Sequence, residues 1–207
     1  MIAFAAAVFL LIATPGPGVL SCAGVGAAFG FRAGLRYVAG LNLGNNLVIA
    51  AVITGLAAVI LAAPVVRGVL LAVSACYLAW LALRIAAAGK RLAFGEADRA
   101  PGLRDGILLQ AVNPKAYVVS TTLFTGFPYA PDSLLFETVT KILIFNAIWL
   151  PLHLGWLWAG GVLHRLDLPE RAHRRINLAM AAAMIAVVAL ALFSMGGSTS
   201  AEPGGTP

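Results

Sequence analysis

Apolar residues fill this chain in six long stretches: Ile2–Phe29, Leu35–Leu61, Val66–Ala88, Leu103–Phe127, Val139–Leu163 and Ile176–Met195. Each is about 20 residues or longer and carries few charges, the pattern of helices that cross a bilayer. Six spans are therefore predicted, joined by links too short to hold a soluble domain. Two stretches are interrupted, the first by Pro15-Gly16-Pro17-Gly18 and the fourth by Asn113-Pro114-Lys115. Proline lacks an N–H and clashes with the preceding turn, so the carbonyls of Leu11, Ala13 and Gln110 are expected to lose their helical partners. Lipid offers no replacement, and a break at that depth is sustainable where it lines a polar site.

The first stretch supports a break independently. At 1.5 Å per residue it would run about 42 Å as one straight helix, against about 30 Å of hydrocarbon. Glycine at 16 and 18 permits the backbone angles that unwinding needs. In the fourth stretch Asn113 suits an N-cap and Pro114 the first position of a new helix. The breaks fall at matching depths, which divides the six spans into halves 1–90 and 103–195. With three spans in each, the second half is inverted relative to the first. The expected fold is an all-α membrane protein of two inverted three-helix repeats, with helices 1 and 4 broken. The Gly/Ser/Thr/Pro-rich end, 196–207, is expected to be a disordered tail.

Composition agrees with a lipid environment. Of 207 residues, 61% are hydrophobic and 11% charged, too little charge to cover a water-facing surface. The net charge of +6 is distributed unevenly. The first, third and fifth links carry Arg32 and Arg36; Arg84, Lys90, Arg91, Arg99 and Arg104; and Arg165, Arg171, Arg174 and Arg175. The other side carries Arg67 and Lys141. Basic short loops stay cytoplasmic, so both termini are expected outside. The basic charge is a topology signal rather than a nucleic-acid footprint. No Lys or Arg precedes the first apolar run, which speaks against a signal peptide.

Lys115 is the most informative polar residue. A lysine at mid-span costs about 3 kcal/mol, and no Asp or Glu is expected deep in any span; Asp105 lies at the cytoplasmic mouth. Either a substrate supplies the anion, or Lys115 snorkels or bonds freed carbonyls. In inverted halves, the helices starting at Pro17 and Pro114 would direct two positive dipole ends at one place, a site for a carboxylate. Asn42, Asn45 and Asn46 in the second span bind a substrate's polar groups or bridge helices. His153, beside Pro151, reads first as a structural histidine and second as a candidate proton carrier. Gly26/Gly30 and Gly40/Gly44 have the spacing of close helix contacts. Cys22 and Cys76 read as packing residues. Without nucleophile–base pairs or clustered Asp, Glu, Cys or His, no enzyme, metal site or cofactor is expected.

Ala13-Thr14-Pro15-Gly16-Pro17, the Gly30–Gly34 link, Gly40-x-x-x-Gly44, Tyr77-Leu78-Ala79-Trp80 with Arg84, and Gly106 followed by Asn113-Pro114-Lys115-Ala116 together resemble the LysE/RhtB amino-acid exporters of bacteria. The resemblance runs from about residue 10 to 127. It implies a six-span inner-membrane exporter of amino acids or derivatives, driven by the proton gradient. Many members carry an acidic residue where this chain has Asn45 and Asn46, and Thr-Gly here precedes Phe127 in place of Pro-Gln. The site residues expected to bind substrate are Pro15, Gly16, Pro17, Gly18, Asn42, Asn45, Asn46, Asn113, Pro114 and Lys115, with His153 for proton coupling. The partners expected are a small-molecule substrate and the bilayer; homo-oligomerisation stays open. An ion or metal carrier, or a non-transporting membrane subunit with merely kinked helices, are the competing readings.

Overall fold

Glycine and proline set the helix boundaries. The computed structural model describes residues 1–14, 16–87 and 99–165, and between 169 and 186 residues 169, 171–172, 174–176, 178–179, 181–182 and 185–186. Among them the regular structure is helical, without strands: α1 (Ile2–Ala13), α2 (Pro17–Phe29), α3 (Phe31–Ile53), α4 (Leu56–Ala62), α5 (Pro64–Ala87), α6 (Leu103–Val112), α7 (Pro114–Gly126) and α8 (Leu134–Arg165). Pro15, the 88–98 link, most of the sixth predicted stretch and the tail 196–207 lie outside the described residues.

The first and fourth stretches divide where their prolines stand. Thr14 closes α1, its backbone N–H and its hydroxyl both donating to the Leu10 carbonyl. Gly16 caps α2 in an extended conformation and Pro17 opens it, where the missing N–H costs nothing. The axes of α1 and α2 differ by 54°. In the fourth stretch α6 ends at Val112 and α7 begins at Pro114.

The second stretch differs from expectation at both ends. Gly30, at φ 82°, turns the chain from α2 directly into α3, so this helix starts at Phe31 rather than Leu35. Gly55, at φ 76°, ends it again in the left-handed region that glycine enters without strain. Leu35–Leu61 is therefore two helices, α3 and the short α4. Pro151, by contrast, lies inside α8 without ending it.

Among the described residues α8, over Leu134–Leu163, is the one unbroken helix long and apolar enough to cross a membrane, and α1 with α2 reaches that standard as a bent pair. The other predicted spans are diluted or divided. Arg32, Arg36 and three asparagines sit in α3, and the fourth stretch consists of two short helices.

Packing follows small residues. A methyl group on Gly26 would collide with the Leu157 carbonyl, and one on Gly160 with that of Ala23, so α2 and α8 touch backbone to backbone. Methyls on Gly40 and Gly106 would likewise meet backbone of α6 and α3 respectively. Gly40 and Gly44 thus act as the close-contact pair their spacing predicts. Gly30 serves the turn instead. Leu43, Leu47, Leu143 and Trp158 point outward.

Candidate functional site

The breaks bring the starts of α2 and α7 together. Asn113 is the N-cap of α7: its Oδ1 accepts from the Lys115 backbone N–H at 3.1 Å. The Gln110 carbonyl, expected to be freed by Pro114, instead accepts from the Asn113 N–H at 3.2 Å. With Lys115 N–H turned to the cap, the carbonyl of Ala111 takes the Tyr117 hydroxyl at 2.8 Å. The break is thus satisfied locally, as burial requires.

From this cap the Lys115 side chain crosses Gly16. A Cβ on Gly16 would stand 2.8 Å from Lys115 Cδ, so the approach depends on glycine. Beyond it Lys115 Nζ donates to the Thr14 carbonyl at 2.5 Å. Lys115 therefore does bond a carbonyl at the break, and the end of α1 supplies part of its negative partner. An ammonium has three N–H bonds, so this contact does not exhaust it.

Gly16, Gly18, Asn113, Lys115 and Ala116 border one cavity of about 40 Å³. Asn45, Gln110 and His153 complete its polar lining, and Ile12, Val19, Val119 and Trp149 form its apolar side. No carboxylate borders it among the described residues. The site residues Gly16, Gly18, Asn45, Asn113 and Lys115 thus converge with His153. Pro15 lies outside the described residues. Pro17 and Pro114 position the two helix starts without lining the cavity.

The three asparagines of α3 separate. Asn42 and Asn46 both donate to Asn146 Oδ1 of α8, at 2.8 and 3.0 Å, and Asn146 returns a bond to Asn46 Oδ1 at 2.9 Å. They bridge helices outside the cavity. Asn45 faces α6, where its Oδ1 accepts from Gln110 Nε2 at 3.1 Å. Gln110 in turn accepts from Asn113 Nδ2 at 2.8 Å. Gln110, absent from the sequence-based set, is 3% exposed; an amide in an apolar run four residues before Pro114 was the available signal.

His153 is buried and stacks on Trp149, with ring centroids 3.6 Å apart. Its Nδ1 lies 2.9 Å from the Trp149 carbonyl. Asp105 is occupied elsewhere, accepting from the Gly102 N–H at 2.7 Å as part of the α6 cap.

A second charged cluster lies at the start of α8. Lys141, counted from the sequence with the outer basic residues, is 2% exposed, and Glu137 is buried beside it, 2.6 Å away. A buried carboxylate thus exists, but outside the cavity. Its other oxygen accepts from the N–H groups of Tyr129 and Ala130 at 2.9 and 2.7 Å. Lys141 also donates to the Phe124 carbonyl at 3.2 Å, tying the end of α7 to α8. Among the described residues no group of three His, Cys, Asp or Glu side chains could hold a metal ion.

No curated protein and no solved structure matches the chain. A family model does, described as LysE type translocator, over residues 9–196. That covers both helix breaks and the whole cavity. The chain belongs to the LysE-type translocator family and is a membrane transporter that exports small molecules.

Proposed function

We propose that this transporter exports amino acids or closely related zwitterions across the bacterial inner membrane, driven by the proton gradient. The observation that carries the reading is Lys115, lodged where the starts of α2 and α7 meet, on a cavity that no carboxylate borders among the described residues. The first N–H groups of a helix have no intrahelical acceptor and carry partial positive charge. Two such ends and an ammonium are suited to a substrate carboxylate. With no carboxylate in the lining among the described residues, a second cationic group on the cargo would be unpaired, so neutral amino acids are preferred over dibasic ones.

In this reading the chain is one domain, 1–195, with inverted halves 1–90 and 103–195 and six spans. Both termini face outward, and 196–207 is an external tail. The test is efflux of radiolabelled amino acids from vesicles, with and without an imposed proton gradient. Gradient-dependent efflux of a neutral amino acid, inhibited more by threonine or leucine than by lysine or arginine, is expected. Equal efflux from vesicles lacking the protein would refute the function, and stronger inhibition by lysine would refute the selectivity.

A further inference from the structure

The polarity of the cavity wall is set from the backbone at two points. The first is the Lys115 N–H, which can only donate. Because it donates to Asn113 Oδ1, the Asn113 amide must present its NH2 on the other side, where it donates to Gln110 Oε1. Gln110 then has only its NH2 to offer Asn45, and does so to Asn45 Oδ1. Each amide fixes the orientation of the next. The last group in the row is Asn45 Nδ2, which is buried on a residue 3% exposed and finds no acceptor among the described residues. A buried donor without a partner is costly, and Asn45 borders the cavity.

The second point is the Trp149 carbonyl, which can only accept. At 2.9 Å from His153 Nδ1, it requires the proton on that nitrogen, so in the neutral ring Nε2 keeps its lone pair. A Cβ added to Gly18 would stand 3.3 Å from this Nε2, and Gly18 borders the same cavity.

The geometry points to a recognition set for both ends of a zwitterion: Asn45 Nδ2 donates to a cargo carboxylate oxygen and His153 Nε2 accepts from its ammonium. Gln110 is the positioning residue: by holding Asn45 Oδ1 it leaves the Asn45 Nδ2 donor unpaired at the cavity wall. The assignment rests on the amino-acid reading above and deepens it, since it makes His153 a cargo ligand rather than a proton carrier.

Binding to the purified full-length protein tests it. The probes are the neutral proteinogenic amino acids, each with its deaminated acid and its decarboxylated amine, and the readout is affinity by ligand-induced thermal shift and calorimetry. The wild type should prefer the amino acid over either analogue by about tenfold or more. Asn45→Leu should measurably reduce the preference over the amine, and His153→Phe, which keeps a ring against Trp149, should reduce the preference over the deaminated acid. Asn45→Ala and His153→Leu replace them if either variant fails to fold.

Gln110→Leu should reduce the preference over the amine as Asn45→Leu does, and add nothing in the Asn45→Leu background. A residue needed only for packing would leave that ratio unmoved. Amino-acid binding with both preferences intact in the Asn45 and His153 variants would overturn the assignment while leaving the export reading standing. No amino-acid binding by the wild type would overturn both.

Discussion

Lys115 Nζ donates to the Thr14 carbonyl at 2.5 Å, so the start of α7 is bonded to the end of α1 across about a hundred residues of sequence. The bond joins the two helix breaks. It places a cation at the negative end of one helix, and the same side chain borders the cavity beside the positive ends of two others. In the proposed function, substrate and Thr14 draw on the same ammonium.

Replacing Lys115 should therefore stop transport without unfolding the protein. Lys115→Met is expected to lower vesicle efflux by about tenfold or more at unchanged membrane insertion. Lys115→Arg should fail as well, because the lysine stem already runs against Gly16 and a guanidinium is bulkier. Normal efflux from Lys115→Met would remove the residue from the site.

Gly16→Ala is expected to separate activity from stability. Its methyl group would meet the far end of a flexible side chain, Lys115 Cδ and Nζ, rather than backbone. Lys115 can yield, so the thermal midpoint should change little, while efflux falls because Nζ is displaced. A large drop in stability with normal efflux per folded molecule would contradict this.

Gly160→Ala should behave in the opposite way. The methyl would collide with the Ala23 carbonyl where α2 and α8 pack backbone to backbone. Overpacking of this kind costs about 1–3 kcal/mol. Gly155→Ala, on the same helix with nothing within 4 Å of the added carbon, is the control and should fold as the parent does. Thermal unfolding in detergent compares them.

Glu137→Gln should destabilise the protein by leaving the Lys141 ammonium, 2% exposed, without its carboxylate. Glu137→Gln with Lys141→Met should recover much of the loss, because the amide oxygen still accepts from Tyr129 and Ala130 while the unpaired ammonium is gone. The comparison is again of thermal midpoints. A single variant as stable as the parent would show that the pair carries no structural weight.

Orientation is open to direct measurement. In a Cys76→Ser background, a cysteine at Asp132 should react with an impermeant reagent added to intact cells, and one at Arg32 should not. Both positions are exposed. Labelling of the Arg32 position alone would invert the predicted topology.

The sequence by itself determined the helical class, the membrane setting and the positions of both breaks. These depend on local chemistry: lipid tolerates few charges, and Pro17 and Pro114 each follow a residue, Gly16 or Asn113, that caps a new helix. It also marked Lys115, because a lysine in an apolar run is conspicuous without any knowledge of its neighbours. The resemblance carried by Pro15-Gly16-Pro17 and Asn113-Pro114-Lys115 was legible for the same reason.

Only the tertiary structure decided which polar residues share a cavity. Asn42, Asn45 and Asn46 look alike along the chain, yet a helix turns about 100° per residue. Asn45 therefore faces Gln110 while Asn42 and Asn46 face Asn146. Gln110 and the buried Glu137–Lys141 pair went unrecognised because the burial of a side chain depends on the helix packed against it. The Asn113 cap and the His153–Trp149 contact are local, but the bond from Gln110 Nε2 to Asn45 Oδ1 exists only once α3 and α6 are in contact.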